Sequence, residues 1–173
     1  DRGLAEDEMY AVSDYLMNKF GISTHPIPDV AWYKSGTFDQ GKWPNSVPGY
    51  ADVEHVNATM IGNDFKIVED SGHGAQKQVW ALEGTTSDVI NFGAVIKDHF
   101  TICSVTRYTG SANQNRILQG KGRNWLHRHH NGNAGVAYYD GWTTADRNNV
   151  EPNTNWAVMC GTNALNAGSK LKL

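Results

Sequence analysis

Phe100-Thr101-Ile102-Cys103-Ser104-Val105-Thr106-Arg107-Tyr108 is the stretch on which the fold class turns. It is rich in β-branched and aromatic residues and reads as a strand. A second strand of the same character, Trp156-Ala157-Val158-Met159-Cys160, follows some fifty residues later. Around these two, further short runs predict strands at 65–68, 78–82, 89–92, 115–119, 124–130, 135–139 and 171–173. Turn pairs such as Asn131-Gly132 and Asp140-Gly141 punctuate them. Regular short strands separated by tight turns predict an all-β chain, an antiparallel β-sandwich of jelly-roll type.

One segment predicts a helix. Over residues 6–20 the apolar residues Met9, Val12, Leu16 and Phe20 recur at the spacing of one helical face. Glu6, Asp7 and Glu8 suit the first turn, Lys19 suits the last, and Gly21 can take the left-handed stop. Residues 23–48 hold four of the five prolines and read as a linker or crossing segment, with one strand at 30–33. The expected organisation is therefore a peripheral helix over 1–22, a linker over 23–48 and strands over 49–173.

At 173 residues the chain is long enough for one ordinary domain. Its net charge of −3 argues against a nucleic-acid binder, which usually carries a basic excess. No run approaches the roughly 18 apolar residues of a membrane helix, and the first residues contain no basic-then-apolar targeting signal. The two cysteines, Cys103 and Cys160, lack the spacing of a zinc site. Two buried free thiols in a cytosolic protein and one disulfide in a secreted protein both fit that count.

The series Phe100 to Val105, Arg116-Ile117-Leu118 and Trp156 to Cys160 resembles the laminin-G-like, concanavalin A-like jelly rolls, pentraxins included. Trp43 looks like the tryptophan near the start of such modules. Residues 1–22 resemble the helix that closes many of them, here placed first. The resemblance implies that the two cysteine-bearing strands lie side by side, joined by a Cys103–Cys160 disulfide. Physical argument supports the pair, since antiparallel neighbours bring their Cβ atoms within bridging range. The resemblance also implies a secreted or cell-surface location, and calcium as the usual partner of such modules, although no ligand set carries over residue by residue; Asp140 and Asp146 fit an oxygen-donor role and an ordinary loop role equally. With the closing helix first and the final strands missing, the chain reads either as a window of a tandem array or as a unit whose complementary strands come from another chain. Its expected partners are further copies of the same module, end to end or by strand pairing.

Catalytic chemistry finds little support. Asp52 and Glu54 are the one acidic pair at strand spacing, in a Pro- and Gly-rich loop, and no nucleophile elbow or phosphate-binding loop occurs. The richest polar cluster is Arg123-Asn124-Trp125-Leu126-His127-Arg128-His129-His130. Alternation puts Trp125, His127 and His129 on one face of a strand and Leu126, Arg128 and His130 on the other. His127 and His129 are at chelating spacing but have no carboxylate nearby to complete a metal site, so a wet or interface-facing strand is expected. Trp142, Tyr139 and Trp32 offer flat rings for stacking on a sugar, or for packing. Asn57-Ala58-Thr59 is a glycosylation sequon. The expected function is a non-catalytic structural or adhesive module of a larger extracellular protein or surface filament. A carbohydrate-binding, lectin-like module is the alternative.

Overall fold

The computed structural model describes residues 31–39, 41–47, 58–147, 149–163 and 171–172. They are nearly all-β and every pairing is antiparallel; their one helical element is a three-residue 3₁₀ turn, Ser35–Thr37. The helix expected over 6–20, the Asp52/Glu54 pair and Asn57 lie outside the described residues.

Contacts divide the chain into two compact units, Asp1–Asn63 with Asp88–Val95, and Asp64–Ser87 with Ile96–Leu173. The length alone had suggested one domain. Two units arise because the chain leaves the first at residue 63, builds a hairpin of the second, and returns at residue 88.

The first unit contains β1 (Lys42–Trp43), β2 (Ala58–Ile61) and β5 (Val89–Asn91), in the order β1-β2-β5. Tyr33, Trp43 and Phe92 meet with ring centroids 4.9–6.1 Å apart. The Trp43 indole N–H donates to the Lys34 carbonyl at 2.6 Å. Residues 31–33, expected as a strand, join no ladder. The Trp32 backbone instead exchanges hydrogen bonds with the Asn45–Ser46 loop, its N–H donating to Asn45 Oδ1 and its carbonyl accepting from Ser46.

The second unit holds the remaining strands. β3 (Lys66–Gly72) and β4 (Ala75–Glu83) form a hairpin. Its turn residues, His73 and Gly74, both have positive φ, 52° and 83°, as a two-residue primed turn requires. β6 (Thr101–Thr106), β10 (Ala157–Thr162) and β11 (Leu171–Lys172) form a second sheet, in the order β11-β10-β6. β7 (Leu118–Gln119), β8 (Trp125–His130) and β9 (Asn133–Tyr139) form a third, with β8 central. The β8–β9 turn is Asn131-Gly132, with φ of 48° and 77°.

Cys103 and Cys160 stand directly opposite each other in the β6–β10 ladder, Cα–Cα 4.1 Å, and are joined by a disulfide. Along β6, Thr101, Cys103 and Val105 are exposed while Ile102, Ser104 and Thr106 turn inward. Ala157, Met159 and Gly161 are buried on β10. The Asp70–Arg107 ion pair, 2.8 Å, ties the β3–β4 hairpin to the segment after β6, and the Arg107 guanidinium also lies over the Trp156 ring. Burial works the other way, but the hydrogen bond and charge of Arg107 hold the Asp70 carboxyl below the usual carboxylate range. Among the described residues no helix is long and apolar enough to cross a membrane.

Candidate functional site

Two places in the second unit concentrate polar chemistry. The first is interior. Far from forming a wet strand, β8 is buried from Trp125 to His129, and His127, Arg128 and His129 are wholly enclosed, each 0% exposed. The expected alternation also breaks. Gly135 (φ 79°) is the extra residue in β9 where the ladder steps from Arg128–Val136 to His129–Ala134, and Arg128 itself has φ 84°. A non-glycine residue in that region costs on the order of 1–3 kcal/mol. Three consecutive side chains therefore reach the β6–β10 pair. The Met159 carbonyl lies beside the His127 ring. Arg128 Nη1 donates to the Ser104 carbonyl at 2.7 Å. His129 Nδ1 meets the Thr106 hydroxyl at 3.2 Å.

Aromatic rings surround these groups. Trp125, His127 and Tyr139 lie nearly parallel across β8 and β9, and Phe100 packs edge-on against Trp125 and Tyr139. The Tyr139 hydroxyl hydrogen-bonds His127 Nδ1, and the Tyr108 ring meets His129 edge-on at 4.5 Å. Burial, with the Arg128 charge adding to it, depresses His127 to about 4 and His129 to about 3. Both histidines are neutral at pH 7. The ring partners suit the tautomers in which Nδ1 accepts from the Tyr139 and Thr106 hydroxyls. Burial lowers Arg128 to about 9, which leaves its guanidinium charged at neutral pH. Burial also pushes Tyr108 up to about 12 and raises Tyr139.

The second place is a cleft of about 190 Å³ lined by Tyr139, Asp140, Gly141, Trp142, Thr143, Thr162 and Asn163. Asp140 takes φ 57° at the end of β9, which turns the chain back so that Trp142 bridges to Tyr138. Trp142 packs edge-on against Tyr138 and is 45% exposed, so it is the open ring of the cleft. Tyr139 is a wall, since its hydroxyl is committed to His127. Thr162 and Asn163 are held by backbone groups of Phe100 and Asp98.

Of the residues singled out in the sequence, Tyr139 and Trp142 thus share one cleft. Trp32 belongs to the other unit, where Lys34 Nζ sits 3.9 Å from its ring centroid. Asp140 is paired with Arg123, and Asp146 lies on an exposed loop. His127 and His129 each commit Nδ1 to a hydroxyl, and among the described residues no group of three His, Cys, Asp or Glu could hold a metal ion. Sequence reading passed over Ser104, Thr106, Thr143 and Thr162. None of them carries a local signal, because pairing between distant strands is what places them. No family model, curated protein or solved structure matches the chain.

Proposed function

We propose that the chain is a non-catalytic adhesive module of a larger extracellular protein, a laminin-G-like jelly-roll β-sandwich whose cleft beside Trp142 takes a sugar ring. The observation that carries this reading is the cleft itself. A half-exposed indole lines it together with the polar residues Asp140, Thr143 and Asn163, and its volume of about 190 Å³ suits a single pyranose. The Cys103–Cys160 disulfide supports an oxidising, extracellular setting. Glycan-array binding followed by calorimetry tests the proposal, and Trp142→Ala is expected to weaken binding about tenfold or more. An array without hits, or a variant that binds as tightly as the parent, would refute it. A chelator arm decides the part played by calcium: binding lost on chelation would bring the ion to Asp140 and Asp146, where it would have to displace Arg123.

A second reading, association between copies of the module, is favoured by one feature of the β6–β10 pair. Val105 and Val158 face each other across the ladder beside the disulfide, 59% and 64% exposed. Paired valines open to water are a surface that a neighbouring copy would cover. Sedimentation of the full chain should then show self-association that Val158→Lys weakens about tenfold or more. A chain that stays monomeric at high concentration would remove this reading and leave the sugar-binding one standing.

A further inference from the structure

The enclosed guanidinium of Arg128 has only part of its hydrogen bonding satisfied. Nη1 donates to the Ser104 carbonyl, while Nε and Nη2 have no partner. The Ser104 hydroxyl and His129 Nε2 are likewise buried and without partners. The chain brings these residues to one stretch of β6, where Arg128 is held at Ser104 itself. His129 follows Arg128 in β8, and its ring hangs from Thr106, two residues beyond Ser104 on the inward side of β6. The unpaired atoms can all donate: Nε and Nη2 with three N–H bonds between them, a hydroxyl and, in the tautomer set by Thr106, an imidazole N–H.

Charge makes the same point. Ion pairs join Lys66 to Glu83, Arg107 to Asp70 and Arg123 to Asp140, and among the described residues none involves Arg128. An enclosed cation without a counter-charge is among the most unfavourable arrangements a protein interior can hold, and a positive φ at the same residue adds to it. Water could accept the hydrogen bonds but would leave the charge standing. A phosphate or carboxylate on a larger molecule would need a path for its remainder, whereas His127, Arg128 and His129 are closed to solvent.

We infer that the interior of the second unit holds a small inorganic anion of the halide class, bound by Arg128 Nε and Nη2 with the Ser104 hydroxyl and His129 Nε2. The anion serves as the counter-charge that lets β8 carry an arginine through the core. Its binding is independent of the cleft beside Trp142.

The test uses the full chain in sodium chloride or bromide against sodium gluconate at equal ionic strength. Halide is expected to raise Tm saturably, by about 3 °C or more. Crystals grown in bromide should show an anomalous peak within hydrogen-bonding reach of Arg128 Nε and Nη2. Arg128→Leu should abolish the halide dependence and, in gluconate, unfold no lower than the parent chain. Should that variant fail to fold, the titration and the bromide crystal of the parent chain decide alone. Equal Tm in halide and gluconate, or a crystal with water and no bromide at Arg128, overturns the proposal.

Discussion

Acidification from pH 7 to pH 4 is expected to remove stability on the order of 5 kcal/mol, most of what a domain of this size possesses. The cause is the pair of enclosed imidazoles. In the unfolded chain each takes a proton near pH 6.5, whereas the folded chain resists protonation until about 4 at His127 and about 3 at His129. Between those limits the unfolded state binds more protons, so stability rises with pH. The contribution is complete above pH 6.5 and is lost as pH falls through the window towards the folded values. Of the groups facing the rings, the Arg128 cation strengthens the effect at both, and the Tyr139 and Thr106 hydroxyls cap Nδ1, while the Met159 carbonyl beside His127 works the other way without reversing it. Urea midpoints measured between pH 7 and pH 4.5 should fall steeply, while the His127 and His129 imidazole resonances of the folded protein stay close to their neutral positions. Two buried histidines titrating near pH 6.5 by NMR would refute this account.

The double substitution Cys103→Ser, Cys160→Ser is expected to cost roughly 4 kcal/mol. That is the loop-closure entropy released when a bridge across a sequence separation of 57 residues is opened. The site isolates this effect well. Cys103 is exposed and Cys160 half-buried, so serine leaves no large cavity and the loss reports the chain constraint rather than packing. The β6–β10 register is also held by six ladder pairs from Ala157–Thr106 to Thr162–Thr101, so the sheet should persist in the variant. Chemical unfolding of both chains without reductant measures the difference. A loss below about 1 kcal/mol, or free thiols in mass spectrometry of the unreduced protein, would contradict the prediction.

Much of the β architecture was readable locally. The strands around Cys103, Cys160 and His127 lie where β-branched and aromatic runs placed them, and Asn131-Gly132 makes the primed turn its two residues favour. Reading failed where pairing overrode local character. β1 and β2 are strands in or beside a Pro-rich segment because Lys42 and Trp43 find partners in Thr59 and Ala58. The run expected at 115–119 shrinks to Leu118–Gln119, the two residues opposite His127 and Leu126.

The two candidate sites divide along the same line. Residue types alone marked Tyr139, Trp142 and Trp32 as rings suited to a sugar, and Arg123 to His130 as the richest polar cluster. Only the tertiary structure brought Thr162 and Asn163 to Tyr139 and Trp142, since Thr162 ends, and Asn163 follows, a strand whose partner lies some sixty residues upstream. Only it turned the polar cluster inward. Strand alternation would have sent Arg128 to the face opposite His127 and His129, but the extra residue at Gly135 and the positive φ of Arg128 cancel that alternation. By itself, then, the sequence determined strand character and turn chemistry, because these depend on side chains a few residues apart; the cysteine pair was implied by a resemblance, and the ladder between β6 and β10 is what brings the two thiols together. Burial of the guanidinium and assembly of the cleft depend on contacts between strands distant in the chain, and on where a one-residue bulge at Gly135 falls against β8, so the tertiary structure decided them.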